Sequence, residues 1–168
     1  MNTSALALQW NRSQREFGDA YLKFQLSPHL SAVLSMKHIQ EVLLLPSQRI
    51  TSMPSMPACV LGLTHRRSRV LWVVDLAQLL GMVHQQTYIQ QNNLIIVQVG
   101  SVPLGFVVHH VEGMTWFSAD TIQSPIGQIN ASIVPYLRGY ILQTQEQQQE
   151  AVLVLDTEAI AQSAILCD

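Results

Sequence analysis

The stretches VLWVVDLAQLL (residues 70–80) and AVLVLDTEAIA (residues 151–161) follow one plan: an apolar run rich in branched aliphatics, an aspartate, then helix-forming residues. Runs of this length bounded by polar residues read as buried strands, and branched side chains fit a pleated sheet. An aspartate where strand gives way to helix can accept the free N–H groups of the first turn. Asp75 and Asp156 therefore read as helix caps rather than acid catalysts, and Gly81 closes the first short helix in a left-handed conformation.

The echo extends outward. HIQEV (38–42) resembles HVEGM (110–114), an offset of 72, close to the 81 that separates the two aspartates. Offsets of this size point to two related β-rich halves rather than a solenoid. YLKFQL (21–26) alternates, with Leu22, Phe24 and Leu26 on one face and Tyr21, Lys23 and Gln25 on the other, which predicts a half-buried strand with LSAVLS (30–35) as its hairpin partner. Further strands are predicted at 42–45, 69–74, 94–99, 104–109, 139–143 and 151–155, with GSVP (100–103) as a hairpin link. Many short strands and few helices favour barrels or sandwiches.

The chain has 168 residues, 48% of them hydrophobic and only 12% charged, with a net charge of −2. The charged share is about half the usual one of roughly 25%. Glutamine fills the gap in HQQTYIQQ (84–91) and QTQEQQQE (143–150), which read as solvated loops. Nothing outside one arginine cluster is basic enough for phosphate-driven nucleic-acid binding. The first 19 residues read as an extension, helical or flexible, without the pattern of a secretory signal, and residues 20–168 as a single domain. No apolar run reaches the length of a membrane span, so the expected location is cytoplasmic.

Reactive chemistry finds little support. His109 and His110 are adjacent on a strand, so they point to opposite faces and cannot easily share an ion. Cys59 and Cys167 lack metal or redox spacing, and Cys59 sits in an apolar setting that blunts a thiol. No nucleophile elbow or glycine-rich phosphate loop is present. Trp72, inside an apolar run, reads as core. The remaining feature is THRRSR (64–69), a tight turn with Arg67 and Arg69 leaning to one side and Arg66 to the other. Solvation alone would suit arginines there, but arginine also matches carboxylates bidentately and tolerates interfaces.

GLTHRRSRVLWVVDLAQLLG (62–81) resembles the signature of the CheW-like domain, the bacterial chemotaxis coupling family: G-apolar-apolar-N-apolar-R-G, then an apolar strand ending in D-L. Gly62, Arg67 and Asp75–Leu76 fall on it, while His65 stands for Asn, Ser68 for Gly, Trp72 for Pro and, downstream, His109 for Asp. HIQEVLLLPSQRITSMP is similar to the family's upstream segments, with Ile39, Glu41 and Val42 on V-x-E-V; PLGFVVHHVEG and YLRGYILQ…AVLVLDTEAIAQS match later ones, so that the likeness spans about residues 20–166.

The resemblance implies a mainly β fold: two five-stranded, SH3-like barrels sharing a hydrophobic core, with a few short helices including a C-terminal one. It also implies a non-enzymatic adaptor, without cofactor or metal, that joins a chemoreceptor's cytoplasmic tip to the regulatory domain of a CheA-type histidine kinase. An adaptor of a pilus-motility or phototaxis system is the near variant, and a β-barrel nucleic-acid binder the distant one. The partner-binding residues implied are Ile39, Glu41, Val42, Gly62, His65, Arg67 and Arg69, with Arg67 facing Glu41 across the wall of a groove in the first barrel. A left-handed Ser68 would cost about 1–2 kcal/mol.

Overall fold

Asp75 and Asp156 do cap helices. Asp75 Oδ1 accepts from the Gln78 amide at 3.2 Å, and Asp156 Oδ1 from the Ala159 amide at 3.1 Å. Gly81 ends the first helix at φ +84°. The computed structural model describes residues 18–82, 89–124 and 130–163. Among them the elements run β1 (Asp19–Ser27), β2 (Leu30–Ser35), β3 (Ile39–Pro46), β4 (Val60–Arg66), β5 (Arg69–Asp75), α1 (Leu76–Leu79), β6 (Gln91–Val99), β7 (Val102–Val108), β8 (His110–Phe117), β9 (Leu137–Gln145), β10 (Gln148–Leu155) and α2 (Thr157–Ala161).

The strands form two five-stranded sheets, ordered β3-β6-β7-β5-β4 and β8-β1-β2-β10-β9. The orders correspond term by term, and each sheet contains one parallel pair at the same place, β5–β7 and β10–β2. The duplication expected from sequence is therefore present, but it is permuted. The central lobe is continuous, β3 to β7. The outer lobe begins at β8, runs through β10, and is completed by β1 and β2 from the other end of the chain.

Each lobe has its own apolar interior and shares a larger core with the other. Leu71, Val73, Leu94, Ile96 and Val107 fill the central lobe, and Tyr21, Val33, Phe117, Ile141, Val152 and Val154 the outer one. Between them lie Leu22, Phe24, Leu34, Val74, Leu76, Ile95, Phe106, Leu155 and Ile160, so the caps deliver both helices into the shared core. Burial on two faces explains the apolar runs at 71–74 and 152–155, whereas Val70 and Ala151 at their starts are exposed. Trp72, partly buried, packs against the shared core.

Several expectations change. β1 is buried on both faces: Tyr21 stacks on Phe117 with ring centroids 3.9 Å apart, and Lys23 is only 7% exposed. β4 and β8 were absent from the predicted strands. QTQEQQQE is not a loop; it forms the ends of β9 and β10, and only Glu146–Gln147 turn. The Gly100–Ser101 link joins β6 to β7 as expected. Residues 1–17, most of HQQTYIQQ and Cys167 lie outside the described residues.

Candidate functional site

β3 and β4 are the two edges of the central sheet, and the chain draws them together. Thr51, just beyond β3, exchanges backbone hydrogen bonds with Leu63 of β4 at 2.7 and 2.9 Å, and Thr64 Oγ1 donates to the Arg49 carbonyl at 3.0 Å. Gly62 makes this approach possible. It sits at φ +145°, and a Cβ there would overlap the Thr51 carbonyl.

An ion cluster spans the same seam. Glu41 pairs in register with Ile96 and so faces the lobe interior; its side chain is 22% exposed. Arg66, the last residue of β4, grips it with two prongs, Nη2 to Oε1 and Nε to Oε2 at 3.3 Å. Arg67 follows with Nε 3.7 Å from Oε2 and a side chain 77% exposed. The hydrogen bond from Arg66 holds the Glu41 carboxyl below its ordinary range, helped by the charges of Arg66 and Arg67, and the same bond raises Arg66.

The turn explains why Arg66 leads. Arg67 and Ser68 both adopt left-handed φ, 49° and 63°, and Arg66 pairs with Arg69 across the hairpin. Cross-strand partners share a face, so Arg66 and Arg69 are on one side and Arg67 occupies the tip, unlike the grouping expected from sequence. The β9–β10 hairpin uses the same device at Glu146 and Gln147, with φ 47° and 67°. Arg69 Nη1 donates to Gln98 Oε1 at 3.2 Å, Gln40 Nε2 donates to the same oxygen at 2.6 Å, and Gln98 Nε2 bonds the Gly100 carbonyl at 3.0 Å.

The structure therefore gathers Glu41, Arg67 and Arg69 at one end of the central lobe and adds Arg66, Gln40 and Gln98, which sequence reasoning missed. One signal was available: Arg66 fills a position that is apolar in the quoted family signature. The other candidates lie elsewhere. Val42 is exposed beside Leu44 on the opposite face of β3, Ile39 packs on the shared core, and Gly62 is buried, acting through its backbone. His65 is exposed and pairs with Val70.

The outer lobe has a charged counterpart of opposite sign. Lys23 Nζ lies 3.3 Å from both Glu112 and Glu150, and Ser31 Oγ donates to Glu150 at 2.7 Å. That hydroxyl, then Lys23, keeps the Glu150 carboxyl below its ordinary range. Glu112 and Gln40 correspond, each the extra residue of a bulge, opposite Lys23/Phe24 and Ile96/Val97 respectively. Elsewhere, burial raises the Cys59 thiol, His109 and His110 are exposed at the β7–β8 junction, and among the described residues no three His, Cys, Asp or Glu are placed to hold a metal. No helix among these residues is long and apolar enough to cross a membrane.

The CheW-like domain model matches residues 20–164, and the chain belongs to that family, a class of scaffold-type adaptors of chemotaxis-type signalling. It is 28% identical over 130 residues to Protein PilI of Pseudomonas aeruginosa, covering 77% of this chain and 68% of that protein. It also superposes on the crystal structure of the scaffolding protein TtCheW from Thermoanaerobacter tengcongensis with a TM-score of 0.71. That match has 17% identity and covers 88% of this chain and 94% of that one.

Proposed function

We propose that the chain couples the cytoplasmic tip of a chemoreceptor to the regulatory domain of a CheA-type histidine kinase, by binding alone and with no chemical step of its own. Family membership across residues 20–164 carries this reading. The domain starts with β1 at Asp19, one residue before the expected residue 20, and the residues ahead of it are read as an extension. The protein acts in the cytoplasm, without membrane insertion or nucleic acid. The proposed docking residues are Ile39, Glu41, Val42, Gly62, His65, Arg67 and Arg69. Of these, Glu41, Arg67 and Arg69 cluster at one end of the lobe, while Val42 lies on the other face of β3 and Gly62 acts through its backbone. Arg66 joins them because it holds Glu41 more closely than Arg67 does. The likeness to PilI favours a pilus-motility pathway as the setting.

A pull-down from the native cell, scored for a CheA-type kinase and a receptor signalling domain, tests the proposal. Recovery of both supports it, and recovery of neither ends it. Exchange of Glu41 and Arg66 (Glu41→Arg with Arg66→Glu) should restore binding that either single change loses.

A further inference from the structure

Two guanidinium groups share one carboxylate at the seam of the central lobe, and a third belongs to the same hairpin. Arg66 engages both Glu41 oxygens, and Arg67 stands 3.7 Å from an oxygen that Arg66 already holds. Arg69 rests on Gln98, a neutral amide. Against the single charge of Glu41 the cluster carries two surplus positive charges. A chain with nine basic residues and a net charge of −2 concentrates three of them here.

The position of Arg66 decides how the labour divides. It occupies a strand position in register with Arg69, and from there it satisfies Glu41 without help from the turn. Arg67 is thereby left at the hairpin tip with most of its surface in water. A guanidinium presents a planar fork that matches carboxylates two bonds at a time, as Arg66 does within the molecule. Arginine also carries lighter hydration than lysine, which suits burial at an interface.

We propose that Arg67 and Arg69 hold carboxylate side chains of an acidic segment in the docking partner, while Arg66 keeps Glu41 in place behind them. This deepens the adaptor reading and rests on it. A polynucleotide fits the site less well. The surplus charge is confined to the end of one hairpin on a net-negative chain, whereas phosphate-backbone binding draws on charges spread along a strand.

The test uses the full chain, with the receptor signalling hairpin and the kinase regulatory domain from the same cell, at low and high salt. Arg67→Gln and Arg69→Gln should each weaken binding to one of these partners by about tenfold or more and flatten its salt dependence. The melting temperature should stay unchanged, because both side chains are exposed. Unchanged affinity and salt dependence in the double variant would overturn the carboxylate clamp while sparing the adaptor reading.

If the wild-type chain binds neither partner, the adaptor reading falls and a direct probe decides the clamp. Hexaglutamate titrated into the labelled protein should give saturable shifts of the Arg67 and Arg69 Nε–H signals. Absent shifts, or equal shifts with hexathymidylate, overturn it.

Discussion

Gly62 and Gly139 occupy the same position in the two lobes. Their φ angles are +145° and +152°, and each lies against a carbonyl from the segment leading into its own strand, Thr51 for Gly62 and Gln123 for Gly139. In both lobes the neighbouring residue then bridges that segment: Leu63 pairs with Thr51, and Tyr140 with Gln123. The two halves thus share a clasp that no side chain can enter.

Alanine at either glycine should therefore be costly. The strained φ accounts for about 1–2 kcal/mol, and displacement of the clasping carbonyl adds to it, for a total of about 3 kcal/mol. Urea unfolding of Gly62→Ala and Gly139→Ala measures the loss. A loss below about 1 kcal/mol in both would show that the clasp yields freely.

Lys23 and its two glutamates should respond asymmetrically to mutation. Glu112 and Glu150 are 29% and 34% exposed and can turn to water, whereas Lys23 is buried. Lys23→Met should change stability by less than about 1 kcal/mol. The double variant Glu112→Ala/Glu150→Ala, which strands a buried ammonium, should lose about 2–4 kcal/mol. Calorimetry on the three proteins compares them directly.

Ser68→Gly should stabilise the chain, because Ser68 holds a left-handed φ of 63° that glycine adopts freely. The gain should be about 1 kcal/mol, read as a higher denaturant midpoint. Partner affinity should stay the same, since Arg66, Arg67 and Arg69 are untouched. A loss of affinity would show that partners read the Ser68 side chain.

Acid should loosen both charged ends. The Glu41 and Glu150 carboxyls are depressed in the folded protein, Glu41 first by the Arg66 hydrogen bond and Glu150 first by that from Ser31. A folded-state value below the unfolded one means the stabilisation is complete above the ordinary glutamate value, about 4.3. It is lost as pH falls through the depressed values. Melting temperatures should thus be flat with respect to these groups near neutrality and fall below about pH 4. Glu150→Gln should shrink that fall.

Much of this was legible locally. The caps depend on Asp75 and Asp156 and the three residues after each, so spacing was enough to place them. The alternation of β1 failed at Lys23 because its partner Glu150 stands 127 positions away, and no local pattern announces a buried lysine whose counter-charges arrive from other strands. β4 and β8 escaped notice for another reason. Each carries a bulge, between Val60 and Gly62 and at Glu112, which breaks the period of two on which strand reading relies.

At the proposed docking face, the quoted family segments marked Glu41 and Arg67 and passed over Arg66, whose grip on Glu41 follows from the left-handed turn. Val42, adjacent to Glu41 in sequence, lies on the other side of β3, because neighbours in a strand diverge. A list of matching positions cannot separate those faces; the pleat does.

The permuted duplication also governs how the molecule is made. The central lobe is encoded without interruption and can assemble as soon as β7 leaves the ribosome. The outer lobe cannot, since its first two strands emerge early and must wait for β10 to arrive beside β2. Domains emerging during synthesis fold as units, with the earlier-made one first. Here every strand of the central lobe is made before β8, whereas β2 waits for β10, so a product cut after β7 would carry all strands of the arginine-bearing lobe and only two of the other.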